Sequence, residues 1–252
     1  VGAHPLLRQQ NIAGNKRPWN GVDYSEFTVD HKKKIRAHYA ALVKQIDDIT
    51  GRILQALRES GQLDNTVILF SSDHGDYLGD HGLIGKGQFF EASCHVPLIA
   101  RMPGGPQGQS SRELVALADV TPTMLALAGA DVPDYMDFMP LPELGLPRTR
   151  RDYLYGMMAG GWMCFDGRWK LCKYSTGEHM LFDLIEDPTE ERNLLNDGAC
   201  GDTYLRLDRA LTEEIMRSTM ASHHDKLVYD VDLSGDLEFG RSGWQRTYPK
   251  PL

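Results

Sequence analysis

Long apolar runs are missing from this sequence. No segment approaches the roughly 18–20 consecutive apolar residues that a membrane-spanning helix needs, so no transmembrane segment is predicted. The first ten residues also lack the charged-then-apolar order of a signal peptide. We therefore expect a soluble protein, cytoplasmic or periplasmic if it is bacterial, and the sequence leaves the compartment open.

Basic residues are in deficit. The 252 residues include 27 Lys and Arg against 35 Asp and Glu, which gives a formal charge of −8. Nucleic acids and anionic membranes are bound mainly through clustered lysines and arginines. The acidic balance therefore argues against nucleic acid as a partner.

Cysteines are few and irregularly spaced. The four of them, Cys94, Cys164, Cys172 and Cys200, form no CxxC pair, which argues against a zinc knuckle or a redox motif. Internal repeats are also absent, and 41% hydrophobic residues exclude a disordered chain. The length fits one large domain, or one domain with a small appendage, that buries a real core.

The spacing of apolar residues predicts a long amphipathic helix followed by a buried strand. Apolar residues recur in steps of three and four from Ile35 to Leu57, with Thr28 or Asp30 as the N-cap. Residues 66–72 then form a continuous apolar run rich in β-branched side chains. Such a run is typical of a strand buried on both faces of a parallel sheet.

The flanking segments complete an α/β pattern. Residues 1–27 hold prolines and glycines without a sustained period and predict an irregular segment. Residues 95–100 predict a second short strand, and residues 115–128 predict a helix that begins near Pro122. Helix, strand, loop, strand and helix in this order favour an α/β fold with a mostly parallel sheet.

The last hundred residues predict a small antiparallel unit. Three short aromatic-rich strands fall within residues 153–174, with a hairpin turn at Asp166-Gly167. A final helix is predicted over residues 204–220, followed by a tail. We therefore divide the chain into an α/β core, residues 1–150, and a carboxy-terminal subdomain, residues 151–252.

The polar stretch after the first predicted strand carries the chemistry. Asp73 and His74 stand at the carboxyl end of the apolar run, where open α/β sheets bind ligands. A carboxylate and an imidazole can both ligate a divalent cation. Lys86 lies between two glycines, which let the backbone bring its ammonium group close to an anionic substrate. The pattern predicts half of a metal site beside a lysine, although an Asp-His pair that only caps a loop is the alternative.

Several spaced motifs accompany these residues in a fixed order. They are Asp73-His74-Gly75, Gly79-Asp80-His81-Gly82, Gly85-Lys86-Gly87, Glu91-Ala92-Ser93, Val96-Pro97-Leu98-Ile99 and the later Asp166-Gly167-Arg168-Trp169-Lys170-Leu171 and Leu181-Phe182-Asp183-Leu184-Ile185-Glu186-Asp187-Pro188. In this order they resemble the downstream half of the sulfatases, within the alkaline-phosphatase superfamily. The resemblance implies part of an alkaline-phosphatase-like α/β sandwich, with a small antiparallel sheet and a helix at the carboxyl end.

The resemblance also implies a sulfuric ester hydrolase that depends on a metal. Asp73 and His74 would be two ligands of one divalent cation, usually Ca²⁺ in sulfatases, with Mg²⁺ or Mn²⁺ as alternatives. Lys86 would contact the sulfuryl or phosphoryl oxygens and the bridging oxygen. Hydrolysis at such an anionic centre needs concentrated positive charge, which a metal and a lysine supply. His81 either reaches the pocket as a catalytic residue or packs beside glycines against a backbone carbonyl.

The residue that sulfatases convert to formylglycine is missing from the sequence. It arises from Cys or Ser in a Cys/Ser-x-Pro-x-Arg motif, which none of the four cysteines begins. We therefore expect the chain to be the carboxy-terminal half of such an enzyme, with the formylglycine and further acidic metal ligands upstream of Val1. The chain alone is expected to be inactive, because Ca²⁺ commonly takes about six to eight oxygen ligands.

Substrate and assembly stay open at this point. The expected substrate is a small-molecule or saccharide sulfate ester. A phosphonate or phosphate ester hydrolase of the same superfamily is the first alternative, because these enzymes share the motifs. A non-catalytic sulfatase-like module is the second alternative, and the sequence does not decide whether the protein forms a homo-oligomer.

Overall fold

The structure, a computed structural model, describes residues 5–15, 23–133, 136–158, 160–197 and 200–224. Its helices are α1 (Pro5–Asn15), α2 (Val29–Glu59), α3 (Glu91–Cys94), α4 (Val120–Leu127) and α5 (Gly201–His224). Its strands are β1 (Ile68–Ser71), β2 (Leu98–Arg101), β3 (Leu154–Met158), β4 (Gly161–Phe165), β5 (Trp169–Tyr174) and β6 (His179–Asp183). The backbone divides into two compact units, Val1–Cys200 and Gly201–Leu252. The division after residue 150 stays a prediction.

Helix α2 is the predicted amphipathic helix. Thr28 is its N-cap: the Thr28 hydroxyl accepts from the His31 amide at 3.3 Å, while the Thr28 amide donates to the His31 ring at 3.2 Å. This reciprocal box satisfies backbone donors that the first helical turn leaves unpaired. The helix ends at Glu59, with Ser60 as its C-cap and Gly61 following at a φ of +68°. Its apolar stripe is exposed in the described residues, with Leu42, Val43, Ile46, Ile49 and Ile53 all facing outward.

The prediction of an irregular segment over residues 1–27 is wrong for helix α1. Pro5 is the first residue of α1, where a missing N–H removes no helical bond, and Gly14 stands near its end. The sequence therefore held a start and a stop signal, but the short helix lacks the repeated apolar spacing that makes α2 recognisable.

Strands β1 and β2 pair antiparallel, so the parallel neighbours expected for β1 are not among the described strands. Ile68 stands opposite Arg101, and Ser71 stands opposite Leu98. Between them the described chain holds a 3-10 turn (Asp80–Gly82) and the one-turn helix α3, not the long crossover helix that usually joins parallel neighbours. The side chains of β1 are half-buried rather than buried on both faces. Among the described residues, the predicted mostly parallel sheet is therefore represented by one antiparallel pair.

Strands β3 to β6 form an antiparallel meander in sequence order. The three predicted strands and the turn at Asp166-Gly167 are confirmed, and β6 is a fourth strand that the patterns did not predict. One face of this sheet packs against the loop that follows β1. The shared core is formed by Tyr77, Leu83, Phe89 and Phe90 from the loop and by Cys172, Tyr174, Met180 and Phe182 from the sheet. The loop with the candidate site residues is thus fixed to the sheet by its own aromatic side chains.

The remaining helices follow the predictions closely. Helix α4 begins at Val120, two residues before Pro122. The buried Asp119 carboxylate before it makes a two-point ion pair with the Arg151 guanidinium at 2.7 and 2.9 Å. Helix α5 is a few residues longer at both ends than predicted, and the tail from residue 225 lies outside the described residues. None of the described helices is long and apolar enough to cross a membrane.

Candidate functional site

Asp73 and His74 follow the carboxyl end of β1 in a turn braced by two serines. The Ser71 hydroxyl donates to the Pro97 carbonyl at 2.8 Å, which ties the end of β1 to the start of β2. The Ser72 hydroxyl donates to the His74 carbonyl at 3.0 Å. The Asp73 side chain is 82% exposed and the His74 side chain 37% exposed. Both polar groups are therefore accessible at the end of a short strand.

The surroundings of His74 select its tautomer. The ring Nδ1 lies 2.9 Å from the Gly75 carbonyl oxygen, which can only accept a hydrogen bond. Nδ1 therefore carries a proton, and in the neutral ring Nε2 keeps its lone pair. A histidine whose other nitrogen donates to a carbonyl is the arrangement usual for metal ligands, because the bond fixes the ring orientation.

Lys86 reaches the same point from the other side of the loop. Its ammonium contacts His74 Nε2, and the Asp73 carboxylate lies 3.3 Å from that nitrogen. The structure thus brings together the three residues that the sequence singled out. Although desolvation works in the opposite direction, the hydrogen bond from the His74 amide and the charge of the Lys86 ammonium hold the pKa of the Asp73 carboxyl below its usual value. A carboxylate, an imidazole lone pair and an ammonium group converge here.

Helix α3 lies directly beneath the two candidate ligands. The Gly75 amide donates to the Ser93 carbonyl at 2.8 Å. A Cβ atom at Gly75 would collide with the Ala92 carbonyl oxygen. Only glycine allows this approach, so the backbone after His74 packs directly against the backbone of α3.

A compact loop separates the ligand pair from the lysine. The Tyr77 amide donates to the Gly85 carbonyl at 2.9 Å, and this bond brings the two ends of the loop together. Asp76 accepts from the Leu78 amide at 2.8 Å and from the Gly85 amide at 3.3 Å. The residues on either side of Lys86 both have positive φ, +79° at Gly85 and +122° at Gly87, a conformation that favours glycine.

The structure places His81 in the core. Its ring is buried and stacks on Phe90, with ring centres 3.9 Å apart and planes 15° apart. Burial lowers the pKa of the His81 imidazole, which favours the neutral ring. The packed alternative is the one that these contacts favour, and a catalytic role for His81 stays an untested prediction.

A buried cluster of charged residues supports α3. The Lys170 ammonium lies 2.6 Å from a carboxylate oxygen of Glu91 and 2.6 Å from one of Glu190. The Lys170 and Glu190 side chains are 1% exposed, and the Glu91 side chain is 26% exposed. His95 adds a contact of 2.8 Å to Glu91 on the outer side. Sequence reasoning missed this cluster, because its members come from positions far apart in the chain.

Two family models match the chain. Residues 8–130 match the model named Sulfatase, and residues 79–218 match the model for the carboxy-terminal region of N-sulphoglucosamine sulphohydrolase. The second match covers more than half of the chain. This chain belongs to the sulfatase family.

Curated relatives and a solved structure agree with this assignment. The chain is 38% identical over 175 residues to an arylsulfatase of Clostridium perfringens, covering 65% of this chain and 36% of that protein. It is 32% identical over 243 residues to a choline-sulfatase of Rhizobium meliloti, covering 92% and 46%. The crystal structure of a phosphonate monoester hydrolase of Agrobacterium radiobacter superposes with a TM-score of 0.67 at 31% identity, covering 79% and 44%. This sulfatase chain therefore spans less than half the length of each, and the alkaline-phosphatase-like α/β fold is confirmed.

The donor set of this sulfatase chain fits part of a cation site. Asp73 offers exposed carboxylate oxygens, and His74 offers the Nε2 lone pair that its tautomer leaves free of a proton. Within the described ranges no group of three or more His, Cys, Asp or Glu side chains is placed to hold a metal ion. The two residues can therefore supply two ligands, and a complete coordination shell needs further ones.

The sequence motifs led to Asp73, His74 and Lys86 but not to the residues that support them. Asp76 carried a usable signal, since an aspartate at the start of a turn often accepts a hydrogen bond from the backbone amide two residues later, which is an Asx turn. Ser93 stands in the motif Glu91-Ala92-Ser93, but the motif gave it no role, because its contacts with Gly75 and Gly87 arise only when α3 packs against the loop.

Proposed function

We propose that this chain supplies two metal ligands and a substrate-binding lysine to a sulfuric ester hydrolase. The observation that carries the proposal is the convergence of Asp73, His74 and Lys86 at the end of β1. Two relatives are an arylsulfatase and a choline-sulfatase, which supports a sulfate ester as the substrate class. Small-molecule and saccharide sulfate esters both fit this class.

Each residue has a definite task in this proposal. Asp73 and His74 would hold one divalent cation, and Ca²⁺ is favoured over Mg²⁺ or Mn²⁺ by the family. When bound, the cation would neutralise charge on the ester oxygens. The Lys86 ammonium would donate hydrogen bonds to the anionic oxygens and to the bridging oxygen, which stabilises the charge that develops on the departing alcohol. The nucleophile, a formylglycine in this proposal, and the remaining metal ligands would come from outside the 252 residues.

Hydrolysis of an aryl sulfate by the protein that contains this chain tests the assignment. We expect Asp73→Asn to weaken Ca²⁺ binding and turnover together, because the amide removes the charge that attracts the cation. Lys86→Ala should lower turnover about 100-fold, the scale seen when one preorganised donor is lost, while leaving Ca²⁺ binding intact. Lys33→Ala is the matched control, because Lys33 is exposed on α2 and pairs only locally with Asp30. Wild-type turnover in both site variants would refute the proposal.

Phosphonate or phosphate ester hydrolysis is the second candidate. The solved relative with 31% identity is named a phosphonate monoester hydrolase, and the three converging groups suit either anionic centre. Rates on sulfate, phosphate and phosphonate esters of the same aryl alcohol separate the two, because the leaving group is constant. Failure to hydrolyse all three in the presence of Ca²⁺, Mg²⁺ or Mn²⁺ would favour a non-catalytic sulfatase-like module.

A further inference from the structure

We infer that Asp76 and Ser93 are positioning residues that fix the backbone of Lys86 relative to the metal-ligand pair. The inference rests on the proposed function, since it assumes that the Lys86 ammonium acts on the substrate. Neither residue contacts the ammonium group. Both act through the two peptide amides that flank Lys86.

Hydrogen bonds hold three successive residues around the lysine. The Gly85 amide donates to Asp76 Oδ1 at 3.3 Å, and the Gly87 amide donates to Ser93 Oγ at 3.4 Å. The carbonyl of Lys86 itself accepts from the Asn11 side-chain amide at 3.0 Å. These bonds together leave the backbone at Lys86 little freedom to turn.

These hydrogen bonds to Asp76 and Ser93, called the clamp below, are needed because the local sequence is flexible. Glycine loses more conformational freedom on ordering than any other residue, and Lys86 has a glycine on each side. A long lysine side chain adds its own rotamer freedom. Without external hydrogen bonds, the ammonium group would spread over many positions instead of meeting His74.

Asp76 and Ser93 each connect the lysine with the ligand pair. Asp76 lies three residues after Asp73, and the same Oδ1 atom that accepts from Gly85 also accepts from the Leu78 amide at 2.8 Å. The buried Ser93 accepts the Gly75 amide on its carbonyl at 2.8 Å and the Gly87 amide on its hydroxyl. A displacement of either residue would therefore change the spacing between His74 and Lys86.

Amide hydrogen exchange in the 252-residue chain tests the clamp without any activity. Selective ¹⁵N-glycine labelling makes the Gly85 and Gly87 signals observable by NMR. We expect Asp76→Ala to raise the exchange rate of the Gly85 amide at least 10-fold, and Ser93→Ala to raise that of Gly87. Asp76→Asn should leave Gly85 protected, because the Asn Oδ1 atom accepts the same bonds. Asp80→Ala is the control. Asp80 lies in the same loop but pairs with Arg36 of α2, so this substitution should change neither exchange rate.

A double-mutant cycle in the protein that contains this chain tests the catalytic consequence. Asp76→Ala should lower kcat about 10-fold with little change in KM, and Asp76→Asn should restore it to within about threefold. In a Lys86→Ala background the Asp76→Ala change should have no further effect, because Asp76 acts only through Lys86. Ser93→Ala gives a second measurement should Asp76→Ala not fold.

The outcomes separate the two proposals. Unchanged Gly85 and Gly87 exchange in the alanine variants would refute the clamp whatever the activity. A full Asp76→Ala effect that persists in the Lys86→Ala background would also refute it. Wild-type turnover of Lys86→Ala together with altered amide exchange would instead refute the proposed role of Lys86 while the clamp stands.

Discussion

Replacing Lys170 with methionine is the most direct test of how α3 is held in place. The substitution keeps the length of an unbranched side chain and removes only the ammonium group. Lys170 and Glu190 are almost fully buried, so water cannot replace the lost partner. Each of the two carboxylates stands 2.6 Å from the ammonium and would lose this contact.

The expected cost follows from which carboxylate is stranded. Glu91 keeps a partner, since His95 lies 2.8 Å from its second oxygen and its side chain is partly exposed. Among the described residues, Glu190 keeps only the hydrogen bond from the Glu91 amide at 2.6 Å, and its buried carboxylate bears most of the penalty. Removing one partner from a buried ion pair costs about 3–5 kcal/mol, and we expect Lys170→Met to lower the free energy of unfolding by about 3 kcal/mol.

Urea unfolding followed by circular dichroism at pH 7 measures this loss. Lys44→Met is the matched control, because Lys44 pairs with Asp47 and Asp48 on the exposed surface of α2 and should change stability by at most about 0.5 kcal/mol. The triple variant Lys170→Met, Glu91→Gln, Glu190→Gln should recover part of the loss, since no buried charge remains. A Lys170→Met loss below about 1 kcal/mol would refute the view that this cluster anchors α3.

Two further predictions concern the same region. Burial would raise the pKa of Glu91, but His95 and Lys170 outweigh it and lower the pKa from 4.5 to about 2. The stabilisation from Glu91 should therefore be complete above about pH 4.5 and be lost as the pH falls towards 2, and denaturation curves of Glu91→Gln should lack this loss. Gly75→Ala should destabilise the chain by about 1–3 kcal/mol in urea unfolding, because its methyl group would meet the Ala92 carbonyl. Gly51→Ala in α2, where nothing lies within 4 Å, should be neutral or stabilising, and equal behaviour of the two would contradict the close-approach argument.

Local patterns predicted the fold where the determining contacts are close in sequence. The cap at Thr28 and the turn at Asp166-Gly167 depend on neighbours within a few residues, and both predictions are confirmed. The pairing of β1 with β2 joins segments about thirty positions apart, and the apolar run of β1 fits either direction. Periodicity describes the faces of a strand but says nothing about the direction of its partner.

The same distinction between local and distant contacts separates the site residues that the sequence predicted from those that it did not. Asp73, His74 and Lys86 stand out because their residue types carry the chemistry and the motifs around them are dense. Ser93 and Lys170 lie within the quoted motifs, but their roles do not stand out, since a serine and a lysine are ordinary residues until packing gives them partners. Lys170 is separated from Glu91 by 79 positions, and Glu91 from Glu190 by 99. No local pattern could have joined these residues.

Helix α3 shows why the distant residues matter for the site. A helix of four residues has no stability of its own, because nucleation fixes several backbone angles for a single hydrogen bond. Its position must therefore come from packing, from the Phe90 side chain in the core before it and from the Lys170 and Glu190 contacts with Glu91 at its first residue. Ser93 transmits that position to the amides of Gly75 and Gly87. The buried ionic cluster of Lys170, Glu91 and Glu190 thus helps to set the spacing between His74 and Lys86 through α3.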